Sequence, residues 1–157
     1  MFKLVILYSF FQFTIIFSQK DTILLNKFIN DWHLAASNAN FNSYFNKMAE
    51  NAIFIGTAPN ERWTKPEFIS FAKPYFDKGK AWDFKAKNRN WSFSTDNKTA
   101  WFDEDLTTWM EDCRGTGVVQ FLNDEWKIVL YDLHVVIENE KIQEFIKLRK
   151  SEVQNKK

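Results

Sequence analysis

The chain has 157 residues, of which 21 are Lys or Arg and 20 are Asp or Glu, with 18% aromatic side chains and a single cysteine. So balanced a charge leaves no field to gather nucleic acid or an anionic membrane, and so aromatic a composition excludes a chain too polar to bury a core. One cysteine closes no internal disulfide, so the fold rests on packing alone. Cys113 reads as a buried small hydrophobe, or else as an intermolecular or reactive thiol.

Lys3 is followed by an apolar run from Leu4 to Phe17 that ends in Ser18-Gln19-Lys20-Asp21, the layout of a signal peptide. Ser9, Gln12 and Thr14 interrupt the run, which falls short of the about 20 apolar residues of a membrane span. Residues 1–19 are therefore read as a leader cleaved after Ser18 or Gln19, residues 20–147 as one domain and residues 148–157 as a charged tail. The protein is expected to be exported, periplasmic or secreted; an uncleaved anchor is the alternative reading of the same residues. Losing Lys3 leaves 20 basic against 20 acidic residues in the mature chain.

Asp21 or Thr22 can cap a helix whose apolar positions Leu24, Leu25, Phe28, Trp32, Ala35, Ala36 and Ala39 follow helical spacing. A shorter helix fits Phe41, Tyr44, Phe45 and Met48, and stops before the strand-like Ile53-Phe54-Ile55-Gly56. Ala58-Pro59-Asn60 turns the chain. Thr64-Lys65-Pro66-Glu67 has the form of a capping box and opens a third helix that Pro74 bends or ends and Gly79 closes. From Trp82 the period becomes two, giving strands at Trp82–Ala86 and around Trp91–Phe93, then at Thr99–Thr108, Arg114–Leu122 and Trp126–Ile137, followed by a charged, frayed tail. Helices first and strands last define an α+β fold with an antiparallel-rich sheet. In the last strand Trp126, Ile128 and Leu130 lie on one side and Val129, Tyr131, Leu133 and Val135 on the other. Both faces of the sheet therefore want cover, helices on one and a second copy on the other, and a homodimer is expected.

Trp32-His33 with Ala35-Ala36, Phe54-Ile55-Gly56-Thr57 with Glu61-Arg62-Trp63, Trp101-Phe102-Asp103-Glu104, Arg114-Gly115-Thr116-Gly117 and Trp126-Lys127-Ile128 follow one another along the chain. In this order they resemble a SnoaL-like protein of the nuclear transport factor 2 superfamily, over nearly all of the mature chain. The resemblance implies a cone: a curved sheet around three N-terminal helices on its concave face, with a pocket at the open end. It does not imply one activity, because this superfold holds isomerases, dehydratases, cyclases, epoxide hydrolases and non-catalytic binders. The general-base aspartate that ketosteroid isomerases carry around the first strand is replaced here by Ile53-Phe54-Ile55, and no arginine accompanies Asp103 on its strand as in the epoxide hydrolases. Neither activity carries over.

Acid-base chemistry in such a cone needs a buried carboxylate or imidazole and a donor aimed at the developing charge. His33 and His134 are the only imidazoles. His33 reads as a hydrogen-bonded link from helix to sheet, or as a pocket group; His134 lies on a strand face that the pattern leaves unassigned. Asp103 alternates with Trp101 and Asp105, and Glu104 with Phe102 and Leu106, so one acid of this strand points inward. Asp103 is taken as the candidate, with Arg114 as its counter-charge, or that of Asp105, or as a site for a substrate anion. Trp63 is a helix staple or a pocket wall, and Tyr131 a phenolic donor or a core residue. Clustered metal-ligand spacing and a Gly-rich phosphate loop are both missing, so neither metal nor cofactor is expected. The reading is a pocket protein for a small, mostly apolar molecule, held by Trp63, Asp103, Arg114, Tyr131 and His33. The alternatives are a cofactor-independent lyase, isomerase or hydrolase using His33 or Asp103, and a protein interaction module whose pocket is filled by its own Phe and Trp side chains.

Overall fold

The computed structural model describes residues 21–154, and side chains as far as residue 150; the leader read at residues 1–19 lies outside the described residues. Helix α1, residues 21–37, buries Leu25, Ile29, Trp32, Ala35 and Ala36, the one-sided spacing that makes a helix amphipathic. Leu24, expected on that stripe, is exposed. Helix α2 is a single turn, Phe41–Phe45, whose N-cap Asn40 side chain accepts the Ser43 N–H. Met48 does not extend it but opens strand β1, Met48–Ile55, because its backbone pairs with Ile128 of the last strand.

The short strand β2, Arg62–Thr64, lies antiparallel to β1 along the edge, where the sequence suggests only a turn. Thr64 then caps helix α3, Lys65–Asp77, through the expected box: its N–H and its hydroxyl both reach the Glu67 carboxylate, at 2.8 and 2.7 Å. Pro74 does not end this helix, which continues to Asp77, and Gly79 with φ +71° closes it in the left-handed region. Residues 81–84 form no strand. Trp82 and Phe84 instead lie along an irregular segment against the core, and strand β3 begins at Lys85 and runs to Phe93.

Strands β4 (Thr99–Thr108), β5 (Glu111–Leu122) and β6 (Glu125–Val135) complete a six-stranded curved sheet of order β2-β1-β6-β5-β4-β3, antiparallel throughout except for β1 beside β6. Helices α1 to α3 fill its concave face, where Trp32, Tyr44, Phe54, Phe68, Phe102 and Tyr131 make one aromatic core. Phe54 and Phe68 stack at 3.9 Å between centroids, which ties α3 to β1. The tail expected to fray instead forms a 3-10 turn, Asn139–Lys141, and helix α4, Ile142–Gln154. Among the described residues no helix is long and apolar enough to cross a membrane.

Candidate functional site

Period-two alternation decides which acid of β4 faces the helices. Phe102, Glu104 and Leu106 are buried, so Glu104 is the inward carboxylate and is wholly shielded from solvent. A charge at such depth is tolerated only when its lone pairs are served, and three of the elements around it contribute. From α1, His33 Nε2 lies 2.8 Å from Glu104 Oε1, and from β6 the Tyr131 hydroxyl donates to the same oxygen at 2.8 Å. From β3, Arg89 donates to Oε2 through Nε at 3.0 Å and Nη2 at 2.6 Å. Arg89 in turn reaches back to α1, to the side-chain oxygens of Asn26 and Asn30, both at 3.1 Å.

Burial works to raise the Glu104 pKa, but the hydrogen bond from His33 and the guanidinium of Arg89 outweigh it, and the pKa lies below its ordinary value of 4.5. An ionised carboxylate only accepts, so the proton of a neutral His33 sits on Nε2. Its Nδ1 is then an acceptor, buried and without a hydrogen-bond partner among the described residues. Tyr131 is driven the other way, its pKa well above 10.0, first by burial and then by the Glu104 charge. The backbone makes room for this pair at Gly115, where an added Cβ would overlap the Tyr131 hydroxyl, as one at Gly117 would overlap the Phe102 ring.

Of the residues singled out in the sequence, His33 and Tyr131 meet at Glu104, and the others lie elsewhere. Asp103, expected to face inward, is on the outer side of β4, where Asn90 donates to it at 3.0 Å. Arg114 is on that outer side as well, 3.3 Å from Asp105, its register partner across β4 and β5. Trp63 stacks on Phe71 of α3 at 4.6 Å between centroids, the position of a staple. His134 is exposed on β6, 3.5 Å from Asp132. Cys113 is buried on the inner face, 3.4 Å from the Thr108 hydroxyl. Glu104 and Arg89 are the members that sequence reasoning passed over. Their signal was an acid at the middle of the apolar alternation Phe102, Glu104, Leu106; the register that sets Arg89 opposite Glu104 is not visible in the chain alone.

Two adjoining clefts open beside His33. One, of about 300 Å³, is lined by Asn30, His33, Leu34, Ser37 and residues 83–86. The other, of about 820 Å³, runs from Ser37 along Trp82 to Thr107, Thr108 and Trp109 at the β4–β5 turn, and the two share Ser37, Asp83 and Lys85. A third, of about 640 Å³, lies at the opposite end of the sheet by Lys65, Glu50 and Lys127. Neither Trp63 nor Asp103 lines any of these three clefts. Among the described residues no group of three or more His, Cys, Asp or Glu could hold a metal ion.

This architecture is that of the nuclear transport factor 2-like proteins. A protein of that description from Pseudomonas putida superposes with a TM-score of 0.65 at 8% identity, over 78% of this chain and 92% of its own. One from Cytophaga hutchinsonii does so with a TM-score of 0.61 at 17% identity, over 75% and 98%. At such identities the likeness is one of fold. The family model described as SnoaL-like domain matches residues 25–138, and the chain belongs to that family. No curated protein sequence matches it.

Proposed function

We propose that this chain is an exported pocket protein that binds a small, mostly apolar molecule with one hydrogen-bonding group, in the adjoining clefts beside His33. The observation that carries the reading is the His33–Glu104 pair. A buried carboxylate holds the imidazole in one tautomer, and the ring lines a cleft with its other nitrogen still unpartnered. The cleft volumes, about 300 and 820 Å³, fall in the range of small-molecule sites, roughly 300–1,000 Å³. Trp82, Phe84 and Trp109 give the clefts aromatic walls. The signal-like leader supports export, and the half-buried Val118 and Leu130 with the exposed Trp101 on the outer sheet face support a homodimer.

The test is native mass spectrometry of the gently extracted mature chain, beginning at Gln19 or Lys20. A retained small molecule that is lost on His33→Phe, with Trp63→Ala as a control that keeps it, is the expected result. A chain that is empty under these conditions, and that binds nothing in a screen of small apolar compounds followed by thermal shift, overturns the reading.

The same pair favours a second reading, a cofactor-independent lyase, isomerase or hydrolase in which His33 Nδ1 takes a proton. Glu104 would hold the ring and stabilise the imidazolium that forms. Turnover of the retained molecule that is lost in His33→Phe and kept in Trp63→Ala decides for it.

A further inference from the structure

The interior beside the clefts is closed by the chain itself. Trp82 and Phe84 come from the irregular segment 81–84, which makes no backbone hydrogen bond among the described residues and follows Gly79, whose surroundings are open. Trp82 lies 5.5 Å from Tyr44 and 5.6 Å from Phe68 and Phe76 between ring centroids, and Phe84 lies 5.9 Å from His33. Behind these rings are three polar atoms that are buried and unpartnered among the described residues: Trp32 Nε1, His33 Nδ1 and the Tyr44 hydroxyl. They belong to one stack, with Trp32 centred 4.8 Å from Tyr44 and 5.2 Å from His33. Burial holds the Tyr44 phenol well above its ordinary pKa; the Trp82 indole nearby offsets part of that but is not in hydrogen-bonding geometry.

An orphaned buried polar atom costs about 1–3 kcal/mol, and native structures hold few of them. Three in one aromatic stack, under a segment with no backbone anchoring, point to a guest. We propose that Trp82 and Phe84 are a displaceable plug over an inner site for a planar aromatic alcohol, which enters from the cleft and gives its hydroxyl to His33 Nδ1 and Trp32 Nε1. The chemistry selects a hydroxyl. His33 Nδ1 with Nε2–H committed to Glu104 accepts, the indole donates, and a hydroxyl both donates and accepts. A carboxylate brings no proton for Nδ1, and an ammonium brings no acceptor for the indole. The ring takes the place of Trp82 against Tyr44 and of Phe84 against His33. This inference rests on the small-molecule reading above and moves the ligand from the open cleft to beneath the plug.

The probe is 2-naphthol, with naphthalene as the matched compound lacking the hydroxyl, added to the mature chain with its indole N–H signals assigned by NMR. The expected result is that the Trp82 and Trp32 signals both shift on binding, with 2-naphthol at least tenfold tighter than naphthalene. His33→Phe should erase that preference while naphthalene still binds. Phe84→Ala, which shortens the plug without touching the polar atoms, should tighten 2-naphthol severalfold.

Movement of the Trp82 signal without that of Trp32 places the probe in the open cleft; it overturns the plug and leaves the small-molecule reading standing. Equal affinity for the two probes overturns the hydroxyl site. No binding to the wild type, whether or not Phe84→Ala binds, makes Trp82 and Phe84 permanent core and also overturns the proposal. The retained-ligand spectra then judge the cleft reading on their own.

Discussion

On the inner face of β4, Glu104 is shut off from solvent and meets four donors, whereas one residue earlier, on the outer face, Asp103 stands in solvent with one bond from Asn90. The chemical group and the strand are the same, so their different weights come from surroundings alone. Outside, water replaces any partner that is lost. Inside, nothing does, and each donor on Glu104 is also a tie between elements: His33 to α1, Arg89 to β3, Tyr131 to β6. The carboxylate holds the first helix to the sheet at the place where the candidate site lies.

The largest effect should come from Glu104→Ala, which strands the buried Arg89 charge and leaves His33 and Tyr131 without their acceptor. Breaking a buried pair from one side costs about 3–5 kcal/mol, to be read as a lower denaturation midpoint in urea. A loss no greater than that of Asp103→Ala would break the comparison.

Acid should act on the same group. The folded pKa of Glu104 is depressed below 4.5, so its stabilisation is complete above that value and is lost as pH falls through the depressed folded pKa. Stability of the wild type measured downward from pH 5 should therefore fall more steeply than that of Glu104→Gln, which has no carboxylate to protonate. Parallel curves would mean that the carboxylate is not held in its charged form.

Tyr131→Phe keeps the ring and deletes one donor, and a hydrogen bond to a charged group is worth about 1.5–3 kcal/mol. Gly115→Ala asks the same question from the backbone side, since its Cβ would push against the Tyr131 hydroxyl and Glu104 Cγ; overpacking of this kind costs about 1–3 kcal/mol. If the two substitutions act through one contact, their combination should cost less than the sum, because the phenylalanine removes the closest overlap, that with the hydroxyl, and leaves only the 2.8 Å approach to the ring carbon Cζ.

How much of this was legible in the chain differs between the fold and the site. Trp32, Ala35 and Ala36 at helical spacing, the Thr64–Glu67 box and the alternations of β4 to β6 are local signals, and the structure has those elements. Trp82 and Phe84 also alternate, yet they form no strand, since two rings on an irregular segment bury against the core as well as two rings on a strand do. The site is harder because it is made of register. That one acid of Asp103-Glu104 faces inward follows from period two, but which one depends on the face the helices take. Partners such as Arg89 and Tyr131, on strands that reach Glu104 from either side, have no sequence spacing to reveal them. The α4 helix was missed for the opposite reason. Its side chains from Ile142 to Lys150 are exposed, so helix formation there rests on local propensity in a stretch whose charge reads as a tail.

The smallest effect should be that of the outer face. Asp103→Ala removes one bond to an exposed amide and should change stability by no more than about 0.5 kcal/mol, and Arg114→Ala, whose partner Asp105 is also solvent-exposed, by about 0–1 kcal/mol. These figures hold for a face that meets water. If a second copy covers it, as the half-buried Val118 and Leu130 beside exposed Trp101 suggest, then Asp103 is desolvated in the assembly, and its removal will alter a melting temperature that itself rises with protein concentration. Melting Asp103→Ala and wild type across a hundredfold range of concentration therefore reads the outer face directly. A constant, near-zero difference leaves it a solvent face and preserves the contrast with Glu104. A difference that grows with concentration makes Asp103 an interface residue, and the two acids of β4 then differ in which partner desolvates them rather than in whether they are desolvated at all.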